Sequence, residues 1–206
     1  GNVTRYTYYP DGNVKTETNP ETGLPTVYEY NSYGLVTSKT TPGGYRTEYT
    51  YDKNGNLIKE ELKNPYDPSK NSITRTIYDD AGRKVQVIPP NLYNSKQDNI
   101  SKNTYSDSSA GTRYAYNTKG QIKSVTDAEG NTTNYEYDVY GNVVIEEMPN
   151  GGVYKYEYNP IGRIVKKSFK NSMSSGSFTT LEEYQYVQDK NPQKTIIRHL
   201  NSSETA

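Results

Sequence analysis

One spacing, Tyr-x-x-x-Gly, recurs seven times along the 206 residues, at Tyr8/Gly12, Tyr30/Gly34, Tyr51/Gly55, Tyr78/Gly82, Tyr116/Gly120, Tyr137/Gly141 and Tyr158/Gly162. Successive anchor tyrosines lie 22, 21, 27, 38, 21 and 21 residues apart, so a unit of 21 or 22 residues repeats with two insertions. A fixed period restricts the fold to an array of small supersecondary units, each leaning on its neighbours because none can bury its apolar face alone. A second Tyr precedes the anchor by two in six copies (Tyr6, Tyr28, Tyr49, Tyr114, Tyr135, Tyr156), and Thr76 takes its place in the fourth. Two residues after the Gly stands Val14, Val36, Leu57, Ile122, Val143 or Ile164, with Lys84 in the fourth copy, the degenerate one.

Tyr-x-Tyr has the period of a strand, and Tyr suits a pleated, half-buried surface. In Tyr137-Asp138-Val139-Tyr140-Gly141-Asn142-Val143, an Asp followed three residues later by Gly fits a type I turn closed by a left-handed Gly in a G1 bulge, a three-residue hairpin loop. The position after the anchor is Asn31, Asp52, Asp79, Asn117, Asp138 or Asn159, short side chains that accept backbone hydrogen bonds at the start of a turn; Tyr9 is the exception. A regular ladder beyond the loop pairs Tyr137 with Val143 and Tyr135 with Ile145, placing tyrosines and aliphatics on one face. The same arithmetic pairs Tyr8 with Val14, Tyr30 with Val36, Tyr51 with Leu57, Tyr116 with Ile122 and Tyr158 with Ile164. Turns at the opposite ends are expected at Asn19 to Gly23, Pro42-Gly43-Gly44, Asp127 to Asn131 and Asn150-Gly151-Gly152. The expected fold is all-β, a meander of tandem antiparallel hairpins forming a curved, twisted, solenoid-like sheet.

The expected organisation is one repeat array over residues 1–206, with insertions near 63–72 and 89–111 and a degenerate eighth unit near 178–200. Within the second insertion Tyr105 marks a short extra strand, and in the eighth unit Glu182 to Tyr186 opens a hairpin that Thr195 to Arg198 returns. Val, Ile and Leu number 31 together while Tyr alone numbers 23, with no Trp and two Phe, so tyrosine must do most of the burying. Twenty-four basic residues meet 24 acidic ones, which separates the chain from charged disordered sequences and gives no electrostatic reason for nucleic acid or an acidic membrane as partner. With no Cys there are no disulfides or thiolate metal sites, and no apolar run approaches the length of a membrane span. The chain starts Gly1-Asn2-Val3 without a signal peptide and reads as an excised segment of a longer polypeptide.

No catalytic constellation is expected, and no cofactor or metal. His199 has no second His or Cys to complete a metal site or nucleophilic dyad. Glu60-Glu61, Glu146-Glu147 and Glu182-Glu183 are adjacent on strands, so at most one carboxylate of each pair points into any cleft. Asp127 to Asn131 lacks the full ligand spacing of a calcium loop, and Gly43-Gly44 and Gly151-Gly152 lack the helix and Lys of a phosphate-binding loop. Aromatic faces stack on sugar rings, which makes the tyrosines candidate ligand contacts; the regular ones are those a sheet short of aliphatics needs for packing. The off-pattern Tyr9, Tyr33, Tyr93 and Tyr140 are therefore the better candidates for binding. Open sheet edges favour self-association of an isolated strip.

At Tyr51-Asp52-Lys53-Asn54-Gly55-Asn56-Leu57 and Tyr137-Asp138-Val139-Tyr140-Gly141-Asn142-Val143 the pattern resembles the tyrosine-aspartate (YD) repeats of the Rhs family, and the resemblance covers nearly the whole chain. That family includes polymorphic bacterial toxins, cocoon-forming subunits of insecticidal toxin complexes, wall-associated bacterial proteins and the animal teneurins. The resemblance implies a secreted or cell-surface bacterial protein and a hollow shell of hairpins enclosing or displaying a C-terminal effector polypeptide. Seven or eight hairpins supply about 16 strands and roughly 75 Å of sheet, a partial shell with open edges. The expected role is non-catalytic and architectural, with the rest of the parent polypeptide as partner. The alternative is a cell-wall or carbohydrate-binding adhesive module, with glycans as partner.

Overall fold

The computed structural model describes residues 3–174, 176–187 and 194–199, the last stretch and residue 187 as backbone only. Two compact units divide the chain, Gly1–Arg113 and Tyr114–Ala206. In the first, hairpin follows hairpin: β1 (Arg5–Tyr8), β2 (Val14–Thr18), β3 (Pro25–Tyr30), β4 (Val36–Thr40), β5 (Arg46–Tyr51), β6 (Leu57–Leu62), β7 (Ser72–Tyr78) and β8 (Lys84–Ile88). Each strand pairs antiparallel with its chain neighbours, the one-dimensional growth of a solenoid. The long insertion forms a separate two-stranded sheet, β9 (Asp98–Asn99) and β10 (Thr104–Tyr105), so Tyr105 does fall on a short strand. β11 (Thr112–Tyr116) follows, and its first residues pair Thr112 with Val87 and Arg113 with Gln86 of β8.

The second unit continues the meander with β12 (Ile122–Thr126), β13 (Thr132–Tyr137), β14 (Val143–Glu147), β15 (Val153–Tyr158), β16 (Ile164–Lys170), β17 (Thr179–Val187) and β18 (Lys194–His199). The last two strands form the eighth hairpin, pairing Tyr184 with Ile197 and Tyr186 with Thr195. Architecture and strand order are those expected from the repeat: all-β, antiparallel, strand beside consecutive strand.

The hairpin loop has the expected geometry. Asp138 N–H donates to the Asn142 carbonyl (2.9 Å) and Gly141 N–H to the Asp138 carbonyl (3.3 Å), while Gly141 takes φ +94°, a left-handed conformation that strains any residue with a Cβ. Asp138 Oδ1 accepts from the backbone N–H groups of Tyr140 and Asn142, both at 2.9 Å, which is why Asp or Asn recurs there. The same two-bond loop closes the opposite ends at Thr41–Tyr45, Asp127–Asn131 and Met148–Gly152.

Anchor pairs form as expected at Tyr8–Val14, Tyr30–Val36, Tyr51–Leu57, Tyr137–Val143 and Tyr158–Ile164. One step further from the turn the register departs from the regular ladder. Glu136 faces Ile145 and Tyr135 faces Glu146, so the expected Tyr135–Ile145 pair does not form. Val144 is an extra residue in the return strand, a second bulge, and the same slip recurs before Tyr8, Tyr30, Tyr51, Tyr78 and Tyr158. Because strand side chains alternate, one extra residue exchanges the faces of everything beyond it. The first Tyr of each pair therefore faces a polar partner, Glu17, Lys39, Glu60, Glu146 or Lys167, rather than an aliphatic one.

Burial is concentrated around the fourth hairpin. Ile77 and Ile88 of β7 and β8 pack with Tyr105 and Ala110 of the insertion. Where the insertion rejoins the sheet, a Cβ on Gly111 would lie 2.0 Å from the Val87 carbonyl oxygen, so glycine there permits the close approach. In the second unit Val153 and Ser168 are buried, and the Tyr154 and Phe169 rings meet at 5.0 Å.

Candidate functional site

Most anchor tyrosines act as clamps between hairpins. The hydroxyl of Tyr51 donates to the Val36 carbonyl (2.8 Å), Tyr78 to Leu57 (3.2 Å), Tyr137 to Ile122 (2.7 Å), Tyr158 to Val143 (2.7 Å) and, in the eighth hairpin, Tyr186 to Ile164 (2.7 Å). Each acceptor is the residue two after the turn glycine of the preceding hairpin, so the two signature positions of the repeat meet across the hairpin boundary. Such a bond contributes roughly 1 kcal/mol net, and the ring adds buried apolar area. Tyr8, on the first strand, is 59% exposed.

The first tyrosine of the pair reaches a carboxylate in some repeats. Tyr28 donates to Glu17 (3.0 Å) and Tyr156 to Glu146 (2.8 Å). Burial, then the hydrogen bond to Glu17, pushes the Tyr28 phenol up to about 12; burial and Glu146 raise Tyr156 likewise. On the other face of the first unit an alternating chain of charges crosses four strands and the residues just beyond them. Arg46 bridges Glu29 (2.8 Å) and Glu48 (3.2 Å), Lys63 bridges Glu48 (2.8 Å) and Glu61 (2.9 Å), and Lys59 adds a second cation to Glu61 (2.8 Å). Burial alone would raise the Glu61 carboxyl, but hydrogen bonds from Lys59, Lys63 and Asn71 outweigh it and bring it down to about 2. Glu60, its neighbour in sequence, faces Tyr49 instead, as alternation along a strand requires.

Beneath the long insertion lies a closed polar cluster. Arg75 and Asp98 pair at 2.9 Å with side chains 0% and 2% exposed. The Arg75 guanidinium also donates to the Ile58 and Thr76 carbonyls (2.8 and 2.6 Å) and to Asn103 Oδ1 (3.2 Å), and Tyr93 donates to the second oxygen of Asp98 (2.8 Å). Asn103 takes φ +50°, which presents its amide to the arginine. Burial and then the bond to Asp98 raise the Tyr93 phenol. Every group here is partnered and shielded, so the cluster docks the insertion onto the sheet.

Consecutive hairpin turns enclose grooves at one edge of the sheet. In the first unit one groove of about 600 Å³ lies between the turns at Asn31–Gly34 and Asp52–Gly55, with Tyr33 on its wall. Another, of about 1000 Å³, lies between the turns at Asp52–Gly55 and Asp79–Gly82 and is walled by Ile100–Thr104 of the insertion. In the second unit the groove between the Asp138–Gly141 and Asn159–Gly162 turns measures about 790 Å³ and is lined by Tyr140, Val144, Lys155, Pro160 and Ile161. Tyr140 and Ile161 on its wall stand 89% and 71% exposed.

Of the off-pattern tyrosines, Tyr9 donates to the Tyr28 carbonyl (3.0 Å) and packs edge-on against Tyr30, and Tyr93 belongs to the buried cluster. Tyr33 and Tyr140 occupy the same turn position in different repeats and are 87% and 89% exposed. The turn glycines Gly12, Gly34, Gly55, Gly82, Gly120, Gly141 and Gly162 all have positive φ. The Asp127–Asn131 segment is a turn in which Asp127 accepts from Asn131, and among the described residues no cluster of three or more His, Asp or Glu is placed to hold a metal. The His199 side chain lies outside the described residues. Sequence reading missed Arg75, Asp98 and Asn103; the available signal was the loss of the repeat's Tyr and aliphatic at Thr76 and Lys84, beside the longest insertion.

The family model RHS Repeat matches residues 8–44, 30–65 and 116–152. No curated protein matches the chain. Among solved structures, the chain is similar to the Photorhabdus luminescens Tc holotoxin pore with a mutation in TccC3, at 17% identity and TM-score 0.35 over 95% of this chain and 14% of that one. It is likewise similar to the TcdB2–TccC3–TEV crystal structure, at 17% identity and TM-score 0.33, again over 95% and 14%. The chain thus spans about one seventh of the length of these structures.

Proposed function

We propose that this chain, which matches the RHS Repeat family model over residues 8–65 and 116–152, is a non-catalytic structural segment of a secreted or surface-exposed polypeptide, whose repeats build a β-shell enclosing or displaying a C-terminal effector. The observation that carries the reading is the clamp: the repeat's defining tyrosine and aliphatic positions join one hairpin to the next, and the same bond recurs in both units. Residues 1–206 form one array on this reading, interrupted by the insertions near 63–72 and 89–111 and ending on the degenerate hairpin near 178–200. Stability then accumulates across neighbouring interfaces, and the array holds or shields other parts of the same polypeptide.

The test is protease digestion of the parent polypeptide. Downstream sequence is expected to resist cleavage while the repeats are folded and to be cleaved once urea melts them. Equal digestion rates with and without the repeat segment rule enclosure out. A second reading, a wall- or carbohydrate-binding adhesive module, is favoured by the exposed rings of Tyr33 and Tyr140. A glycan array with the purified chain tests it, and no signal across wall polysaccharides and host glycans removes it.

A further inference from the structure

The grooves between successive turns are equivalent by repeat position, and one of them is partly covered by the insertion. Counted from the anchor tyrosines, Ile58 and Val144 hold the same place on the return strand, seven residues after Tyr51 and Tyr137. Arg75 and Lys155 hold the same place on the next strand, three before Tyr78 and Tyr158. The pairings agree: Arg75 sits opposite Lys59 and Lys155 opposite Ile145, each partner eight residues after its anchor. In the first unit the β9–β10 hairpin covers the inner end of this groove, with its Asp98 carboxylate and Asn103 amide on the Arg75 guanidinium and Ile58 left 2% exposed, while Ile100–Thr104 wall the space that remains. In the second unit no insertion covers the equivalent groove among the described residues. Lys155 is 42% exposed, and among the described residues it is held by Glu157 at 3.3 Å and by the Phe178 ring at 5.9 Å, both weak constraints on a solvent-facing ammonium. Apolar side chains of its lining stand exposed: Tyr140 and Ile161.

We propose that the Tyr140–Lys155 groove is a docking site for a carboxylate-bearing β-hairpin of a polypeptide, seated as the Asp98–Tyr105 hairpin is seated in the first unit. The hairpin's carboxylate takes Lys155, displacing Glu157, and its apolar side chain covers Val144 and the faces of Tyr140 and Ile161. A cation at the inner end selects the carboxylate, and the aromatic and aliphatic rim supplies the contact area. This inference goes beyond the architectural role and holds whether or not an effector is enclosed.

The test uses the full chain and a head-to-tail cyclised peptide of residues Gln97–Ser106, the chain's own loop. Backbone amide shifts are followed by NMR. Saturable shifts are expected at Tyr140, Lys155 and Ile161. Replacing the peptide's aspartate (Asp98→Asn) or the chain's Lys155 (Lys155→Gln) is expected to weaken binding about tenfold. Tyr140→Ala, at a side chain too exposed to affect folding, weakens binding similarly, and Lys155→Glu binds a peptide carrying Asp98→Lys better than the unaltered peptide. Absence of saturable shifts, shifts indifferent to the Asp98→Asn change, or shifts from maltohexaose but none from the peptide overturn the proposal.

Discussion

The fourth hairpin and the seventh solve the same problem by different means. β15 and β16 keep every signature of the repeat: Tyr156 on Glu146, Tyr158 clamped to the Val143 carbonyl, Ile164 offering its carbonyl to Tyr186. β7 and β8 lack the first tyrosine and the aliphatic, and they carry the buried Arg75–Asp98 pair and the Ile77, Ile88, Tyr105 and Ala110 cluster instead. A sheet one layer thick has no deep interior, so regular repeats distribute stabilisation over many half-buried tyrosines. Where a second layer is available, the tyrosine pattern relaxes and a conventional core takes over. Degeneracy in the repeat thus reports a covered face.

The largest expected effect lies in the covered hairpin. Asp98→Ala leaves a fully buried guanidinium unpaired and should cost about 3 to 5 kcal/mol, seen as lost hydrogen-exchange protection across residues 98–105. Arg75→Met combined with Asp98→Leu should recover most of it; failure of the double variant to recover would show that the pair does more than dock the insertion. Next comes the exposed charge chain. Glu61 has a depressed folded-state value, so its contribution is fully present above the ordinary carboxylate value of 4.5 and is lost as pH falls towards about 2. Allowing for solvent screening, that contribution is about 2 kcal/mol, and Glu61→Gln should flatten the acid limb of a urea-midpoint profile between those values.

A regular repeat should yield less per site. Tyr158→Phe removes one clamp and should cost about 1 kcal/mol in urea unfolding, whereas Tyr8→Phe, at a 59% exposed ring, should cost almost nothing. Equal losses at the two positions would mean that the ring, not the hydroxyl, joins the hairpins. Smallest of all, Tyr140→Ala should leave stability within about 0.5 kcal/mol.

The repeat, the three-residue loop, the anchor pairing and the strand order were all legible in sequence because each rests on local chemistry: a left-handed glycine, an Asp that accepts two turn N–H groups, a period of two. The second bulge was not legible. Val144 adds one residue to a strand without adding a glycine or any other residue that marks it, so the alternation of Val143 and Ile145 reads as regular. Arg75 and Asp98 lie 23 residues apart and meet only through the path of the insertion, which no periodicity encodes. Among the tyrosines, sequence could separate regular from off-pattern positions. It could not separate Tyr33 and Tyr140 at turn tips from Tyr9 and Tyr93, whose hydroxyls are engaged, because that depends on neighbours distant in the chain.

The alternating chain from Glu29 through Arg46, Glu48, Lys63 and Glu61 to Lys59 bears on assembly as well as stability. Hairpins built to one pattern are close to interchangeable as neighbours, which is the hazard of any tandem array during folding. Tyrosine clamps cannot tell one hairpin from another, since each clamping anchor reaches for the same backbone carbonyl. The charges can. In the native register Glu48 lies opposite Glu61 with Lys63 bridging them, and a strand docked one hairpin out of sequence would leave such carboxylates without their cation. The ion pairs thus act as addresses that give otherwise equivalent repeats a fixed order.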